Sequence, residues 1–394
     1  MKTVTRLQDK ICPSDLQYLL GAQEEFCVSV YVPVHQPLND SAHAALRTRQ
    51  LLRDVEETLL RVLPVTAVEQ LLMPIRALND SSAFWRQIQS GAAFLVSKEV
   101  ELIYNLPYPC PESATVARHF NIRPLLPMLH DANHFFVLAL SQGNVRLYRG
   151  TANSINEVAI ENAPTNLAEA LRYDEFEKQL QTHTTGSSSV NGREATMFHG
   201  QGSSSEEAVT KKYLQRFLQE LEHGVTELLR GDEVPLITAG VEYIRAIYRQ
   251  VNRYSNLLDA GIAGNCDHWS AQEFQAAALH VLNVERNTAL QAKLHQLAEW
   301  LGAGDRRGLA NIDSIIRAAK QGRVESLFVT PDANAWGAYD ATMDRLEKMD
   351  QAVANSEDLV NLAAILTLQT GGKVQEVSPS AMPAQAKVGA LLRY

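Results

Sequence analysis

The residues best suited to chemistry in this chain lie close together. A polar stretch, His183-Thr-Thr-Gly-Ser-Ser-Ser-Val-Asn-Gly192, leads into Phe198-His-Gly-Gln-Gly-Ser-Ser-Ser205. Glycine and serine bury too little side chain to pack, so the segment is expected to stand out as a mobile loop with His199, Gly200, Gln201 and Gly202 at its tip. Glycines let a backbone approach RNA closely, and the Gln201 amide can both donate and accept hydrogen bonds. The competing account is a solvated linker with no role.

Basic residues follow. Lys211, Lys212 and Arg216 fall on one side of the helix expected behind the loop, and Arg245, Arg249 and Arg253 recur every four residues. Either set could contact phosphate. A solvated face for the first set, and pairing within the helix for the second, are the alternatives. No other chemistry finds an anchor. His119, His130, His134 and His268 lack metal-ligand spacing with carboxylates, so no metal is expected. There is no G-x-S-x-G elbow, Walker loop or dinucleotide fingerprint, so no cofactor is indicated. Residues 305–308 read as a linker rather than a phosphate-binding turn, and Trp85, Trp269, Trp300 and Trp336 as core or interface aromatics.

These residues need a scaffold, and composition bounds it. At 394 residues, two or three domains are expected. Hydrophobic residues at 45% and charged residues at 21% are a globular mixture. No apolar run approaches the roughly 20 residues that cross a bilayer, and the N-terminal stretch has no apolar core for a signal peptide, so a cytoplasmic protein without a membrane partner is expected. Four dispersed cysteines form no C-x-x-C pair and read as reduced thiols. A net charge of −9 without a basic block argues against duplex DNA.

Periodicity then places the elements. The run Cys27-Val-Ser-Val-Tyr-Val-Pro33 predicts a buried strand, followed by a helix over 41–63 with Leu46, Leu52, Val55, Leu59 and Leu60 on its apolar face. A second helix over 68–78, kinked at Pro74, and a hairpin of 91–96 with 100–104 come next. Strands 135–140 and 145–148 flank Gly143-Asn144, a hairpin signal. Tyr213, Leu214, Phe217, Leu218, Leu221, Val225, Leu228 and Leu229 predict a long amphipathic helix ended by Gly231. A strand over 234–241, a helix from 242 to 251, helix over 271–301 broken near Asn283, and helix 312–321 follow. Beyond them come a strand over 324–329, further helix to about residue 368, and strands 374–377 and 388–393. Alternating strands and helices predict an α/β fold of three consecutive sandwich domains with mixed sheets, at 1–125, 126–285 and 286–394.

Three blocks carry a family resemblance in this order. Val28-Ser-Val-Tyr-Val-Pro33 with the next helix and hairpin is similar to the N-terminal domain of the archaeo-eukaryotic class of peptide-chain release factors and their Pelota-type rescue relatives. His199-Gly-Gln-Gly202, the long helix and Leu229-Arg-Gly-Asp-Glu-Val-Pro-Leu-Ile-Thr-Ala-Gly-Val241 are similar to their central domain. Ala319-Lys-Gln-Gly-Arg-Val-Glu-Ser-Leu-Phe-Val329 with Val388-Gly-Ala-Leu-Leu-Arg-Tyr394 resembles their C-terminal, factor-docking domain. The chain most resembles the divergent bacterial members. The resemblance implies a ribosome-associated factor that binds the A site in rescue or hibernation, with rRNA and tRNA as partners and a translational GTPase docked through 286–394. Where the family's hydrolytic tripeptide reads Gly-Gly-Gln, a single glycine precedes Gln201, and the Asn-Ile-Lys-Ser element that reads stop codons is missing. Stop-codon reading is therefore not expected, and binding is expected ahead of catalysis. Peptidyl-tRNA ester hydrolysis at Gln201 is the chemistry the resemblance would supply. A non-ribosomal interaction scaffold of the same fold, and an RNA- or ester-hydrolysing enzyme, stand as alternatives.

Overall fold

The computed structural model describes residues 7–22, 24–34, 41–130, 134–141, 143–161, 163–166, 203–340, 345–349 and 356–394. The chain divides into two compact units, Met1–Asp131 with Leu290–Tyr394, and Ala132–Ala289.

The first unit begins with a strand, β1 (Leu7–Gln8), and a helix, α1 (Pro13–Gly21), which takes Pro13 in its first turn where the missing N–H costs nothing. Strand β2 (Cys27–Pro33) is buried along its whole length. Helices α2 (Ser41–Leu60), α3 (Val65–Asn79) and α4 (Ser82–Trp85) follow, then strands β3 (Gly91–Val96), β4 (Glu101–Leu106) and β5 (Ser113–Ala117). The sheet runs β1-β4-β3-β2-β5, with β2 inside it, which is why its residues are apolar without alternation. The Leu52, Val55, Leu59, Val68, Leu72 and Ile75 side chains hold α2 and α3 on one sheet face. Leu46 and Leu60, expected on that stripe, are instead 53% and 43% exposed. At 100° per residue they fall about 100° or more away from its centre. Helix α3 continues through Pro74. Strand β5, small and uncharged after a proline-rich loop, was not foreseen by periodicity.

After the short helix α5 (Leu126–His130), the second unit builds its own sheet from β6 (Phe135–Leu140), β7 (Arg146–Gly150), β8 (Ile155–Val158), β9 (Leu236–Gly240) and β10 (Ile262–Ala263), in the order β10-β9-β6-β7-β8. Helices α6 (Ser203–Leu228) and α7 (Glu242–Val251) belong to it, as does the N-terminal part of α8 (Ala271–Gly302). Strand alternation settles the layers. Phe136, Leu138 and Leu140 face α6 and α7, while Phe135, Val137 and Ala139 face Phe274, Ala278 and Leu282 of α8. This is an α/β sandwich with both sheet faces covered. Helix α8 passes Asn283 unbroken, against expectation, because asparagine is a weak helix former but no breaker.

The remainder of the first unit holds β11 (Gly308–Leu309), α9 (Ile312–Lys320), β12 (Val324–Val329), β13 (Trp336–Asp340), β14 (Arg345–Met349), β15 (Glu357–Asp358), α10 (Leu359–Gln369), β16 (Lys373–Glu376) and β17 (Val388–Leu392). They form a sheet β11-β17-β12-β16, in which β12 lies parallel to β16 and antiparallel to β17, and a small antiparallel sheet β14-β13-β15. Among the described residues, the helix expected between 330 and 358 is therefore this small sheet, and Leu359–Gln369 is the helical part. Gly337 makes the pairing possible, since a Cβ there would meet the Glu347 carbonyl oxygen at 2.5 Å. The α/β class with mixed sheets matches the expectation from sequence.

Candidate functional site

The expected tip, His199, Gly200, Gln201 and Gly202, lies outside the described residues, as does most of 183–205. What is described is the element that follows it. Helix α6 starts at Ser203, directly after the tip. Its apolar residues recur at three- and four-residue steps, and Leu214, Phe217, Leu218, Leu221 and Val225 are buried against β6, β9 and α7. Burial of each such side chain contributes about 1.5–3 kcal/mol, so packing rather than propensity holds this helix. Two further contacts fix it. Gly224 allows the 160–163 segment to cross at close range, where a Cβ would meet the Ala163 Cβ at 2.7 Å. The buried Glu222 carboxylate accepts the Arg253 backbone N–H at 2.9 Å and the Thr226 hydroxyl at 2.6 Å, tying α6 to the end of α7. Burial, and then the Glu222 charge, push the Tyr248 phenol far above its ordinary value.

Lys211 and Lys212 are exposed on α6. Arg216 is also exposed and bonds Glu220 one turn on at 3.3 Å, a surface pair of the kind that contributes little stability. Arg245 corrects the expectation of a basic ridge, because it is 4% exposed. Its Nε donates to the Thr238 hydroxyl at 3.2 Å and its Nη1 to Glu242 at 2.8 Å. Gly261 leaves room for it, since a Cβ would stand 2.2 Å from Nη2. Burial pushes the Arg245 guanidinium below its ordinary value, with the Glu242 charge opposing. Arg249 is half-buried and bonds the same carboxylate, so pairing within the helix is what the geometry shows for both. Arg253 is exposed.

The first unit contains a polar cluster that no sequence signal marked. Arg123 donates to the Asp358 carboxylate at 3.1 Å and to the carbonyls of Ala333 and Thr330. The buried Asn361 amide accepts from the Ile122 N–H at 3.0 Å and donates to the Phe120 carbonyl at 2.9 Å. His119 Nδ1 lies 2.7 Å from Glu357. The partners are up to 241 residues apart, and spacing rules read only neighbours, so nothing local could have paired them. Asp358 has a further local duty, accepting the Val360 N–H as the N-cap of α10. Among the described residues, no group of three His, Cys, Asp or Glu side chains could hold a metal ion, and no helix is long and apolar enough to cross a membrane.

The second unit is thus a layered α/β sandwich in which the long helix α6 packs on a mixed sheet. Over residues 135–284, nearly the whole second unit, the chain matches the model of Bacterial archaeo-eukaryotic release factor family 7. Among solved structures it is similar to an archaeal translation termination factor, aRF1, at 13% identity and a TM-score of 0.23, covering 98% of this chain and 99% of that one. It is also similar to Archaeoglobus fulgidus Pelota at 12% identity and a TM-score of 0.28, covering 98% and 94%. A third is S. cerevisiae Dom34, a translation termination-like factor that interacts with Hbs1, at 11% identity and a TM-score of 0.36, covering 76% and 74%. No curated protein matches the chain.

Proposed function

We propose that this protein is a cytoplasmic, ribosome-associated translation factor that occupies the A site in ribosome rescue or hibernation, rather than one that reads stop codons. The observation that carries the reading is the family match over 135–284 together with what precedes α6 there, a glycine-flanked Gln201. In this reading His199, Gly200, Gln201 and Gly202 approach the peptidyl-transferase centre. Lys211, Lys212 and Arg216 face rRNA or tRNA phosphate, and the 286–394 segment docks a translational GTPase. Buried Arg245 and paired Arg249 take a structural part.

The packing of α6 supports the role of a stalk, since a helix fixed along five buried side chains can hold its N-terminal end steady. Binding is the primary activity here. Departure from Gly-Gly-Gln leaves the Gln201 amide with one flanking glycine on its N-terminal side, and any ester hydrolysis would depend on that amide holding a water.

Co-sedimentation with 70S ribosomes at low salt tests the reading. Full-length protein is expected in the ribosome fraction, and a variant lacking 184–205 is expected to bind without altering translation. Protein remaining at the top of the gradient would remove the proposal. Comparing peptidyl-tRNA release by the native chain and Gln201→Ala then separates hydrolysis from occupancy.

A further inference from the structure

Two sheet edges open onto one cavity in the first unit. Strand β5 ends its five-stranded sheet and β15 ends the small sheet. A cavity of about 600 Å³ is lined by residues 114–118 on one side and by Glu357 and Asp358 on the other. Asp54 and Thr58 of α2, with Arg61 in the turn that follows it, form a third wall.

Exposed edges are ordinarily guarded by charge, proline or a bulge, because their outward N–H and C=O groups invite another strand. Strand β5 reads Ser-Ala-Thr-Val-Ala, without charge or proline, and its register against β2 is unbroken. Among the described residues, the β5 backbone pairs only with β2. Residues 113–117 are nevertheless half-buried, where unpaired backbone groups are costly. The same cavity presents Asp54 and Arg61, both exposed and neither in an ion pair among the described residues.

We propose that this cavity takes an extended peptide from a partner protein, added as a strand along the edge of β5 that pairs with none of the described residues, with a basic side chain against Asp54 and an acidic one against Arg61. Main-chain hydrogen bonds supply the affinity and the two charges set the direction, which is the physics of strand addition. Spacing narrows the peptide. Asp54 lies on α2 and Arg61, seven residues on, in the helix-like turn closed by the Leu63 N–H on the Leu59 carbonyl, which puts them about 10 Å apart at ~1.5 Å per residue. Strand residues four apart share a face at about 13 Å, and those two apart at about 6.6 Å. Long lysine and glutamate side chains close the difference for a four-residue spacing.

The test titrates full-length protein into fluorescein-labelled Lys-Val-Thr-Val-Glu and, separately, its reversed sequence, read by anisotropy and by Trp336, which also lines the cavity. One order is expected to saturate. Methylating alternate amides of that peptide, which leaves its side chains intact, is expected to weaken binding by about tenfold or more. The double exchange Asp54→Arg with Arg61→Asp alters two exposed positions, one on α2 and one in the turn after it, and is expected to switch preference to the other order. Saturation by neither peptide at millimolar concentration overturns the proposal. So does equal binding of the methylated form, an unmoved preference after the exchange, or displacement of the Trp336 signal by a uridine-rich oligonucleotide but not by peptide.

Discussion

Cys27 and Cys110 show how burial alone sets the chemistry of a side chain. Both sit in the apolar interior of the first unit, and desolvation pushes each thiol up to about 12. Burial also raises Cys266, while Cys12 is exposed. Thiolates are the reactive form, so a thiol reagent at pH 8 should modify Cys12 quickly and the other three only after denaturation. The linkage follows with a definite sign. Below the unfolded value of 9.0 both states keep the proton, and between 9.0 and about 12 the unfolded chain loses it while the native thiol does not. Stability therefore falls as pH rises through that window, by at most about 1.4 kcal/mol per pH unit for each thiol. Urea midpoints measured from pH 8 to 10.5 should decline, with a shallower slope in Cys27→Ala. A flat profile would contradict the burial of these thiols. Nothing in the spacing of the cysteines announced this, because their reactivity depends on what surrounds them.

Elements were more legible than sites. The period of α6 named five side chains that are buried, and the alternation of β6 sorted its residues onto two faces. The failures share a cause. Leu46 and Leu60 are apolar but sit off the packed stripe of α2, and the sequence of β13 to β15 reads as helix because short, mixed strands lack a clear period. Gly224 tests the packing of α6 directly. Glycine to alanine inside a helix ordinarily gains up to about 1 kcal/mol. At Gly224 the new Cβ would lie 2.7 Å from Ala163 Cβ and 3.2 Å from the Glu161 carbonyl oxygen, so Gly224→Ala should destabilise by about 1–2 kcal/mol. Gly302, at the end of α8, has nothing within 4 Å, and Gly302→Ala should be neutral or slightly stabilising. Denaturant unfolding of the two variants side by side gives the answer, and equal shifts would count against the close crossing at 160–163.

At the scale of the molecule, the first unit is assembled from both ends of the chain. Residues from 119 to 123 meet residues from 330 to 361 through Arg123, Asn361 and the His119–Glu357 pair, and Gln369 donates to the Leu20 carbonyl at 2.6 Å. Replacing Asn361 by alanine would leave the Ile122 N–H and Phe120 carbonyl buried without partners, at a cost of about 2–4 kcal/mol. That loss should appear in one transition shared by probes in both halves, such as Trp85 and Trp336. Separate transitions would show that the halves are not coupled.

The amino-acid order by itself determined the local things: most of the helices and strands, the packed face of those with a clear period, and the glycine-rich segment ahead of α6 that carries the family resemblance. Each of those depends on residues within a few positions of one another, where periodicity and backbone preference act. Tertiary structure alone decided that Arg245 is an interior group, that two chain ends close one unit around Arg123 and Asn361, and that β5 and β15 line one cavity. Those outcomes turn on desolvation and on contacts between residues hundreds of positions apart, and no local pattern encodes either.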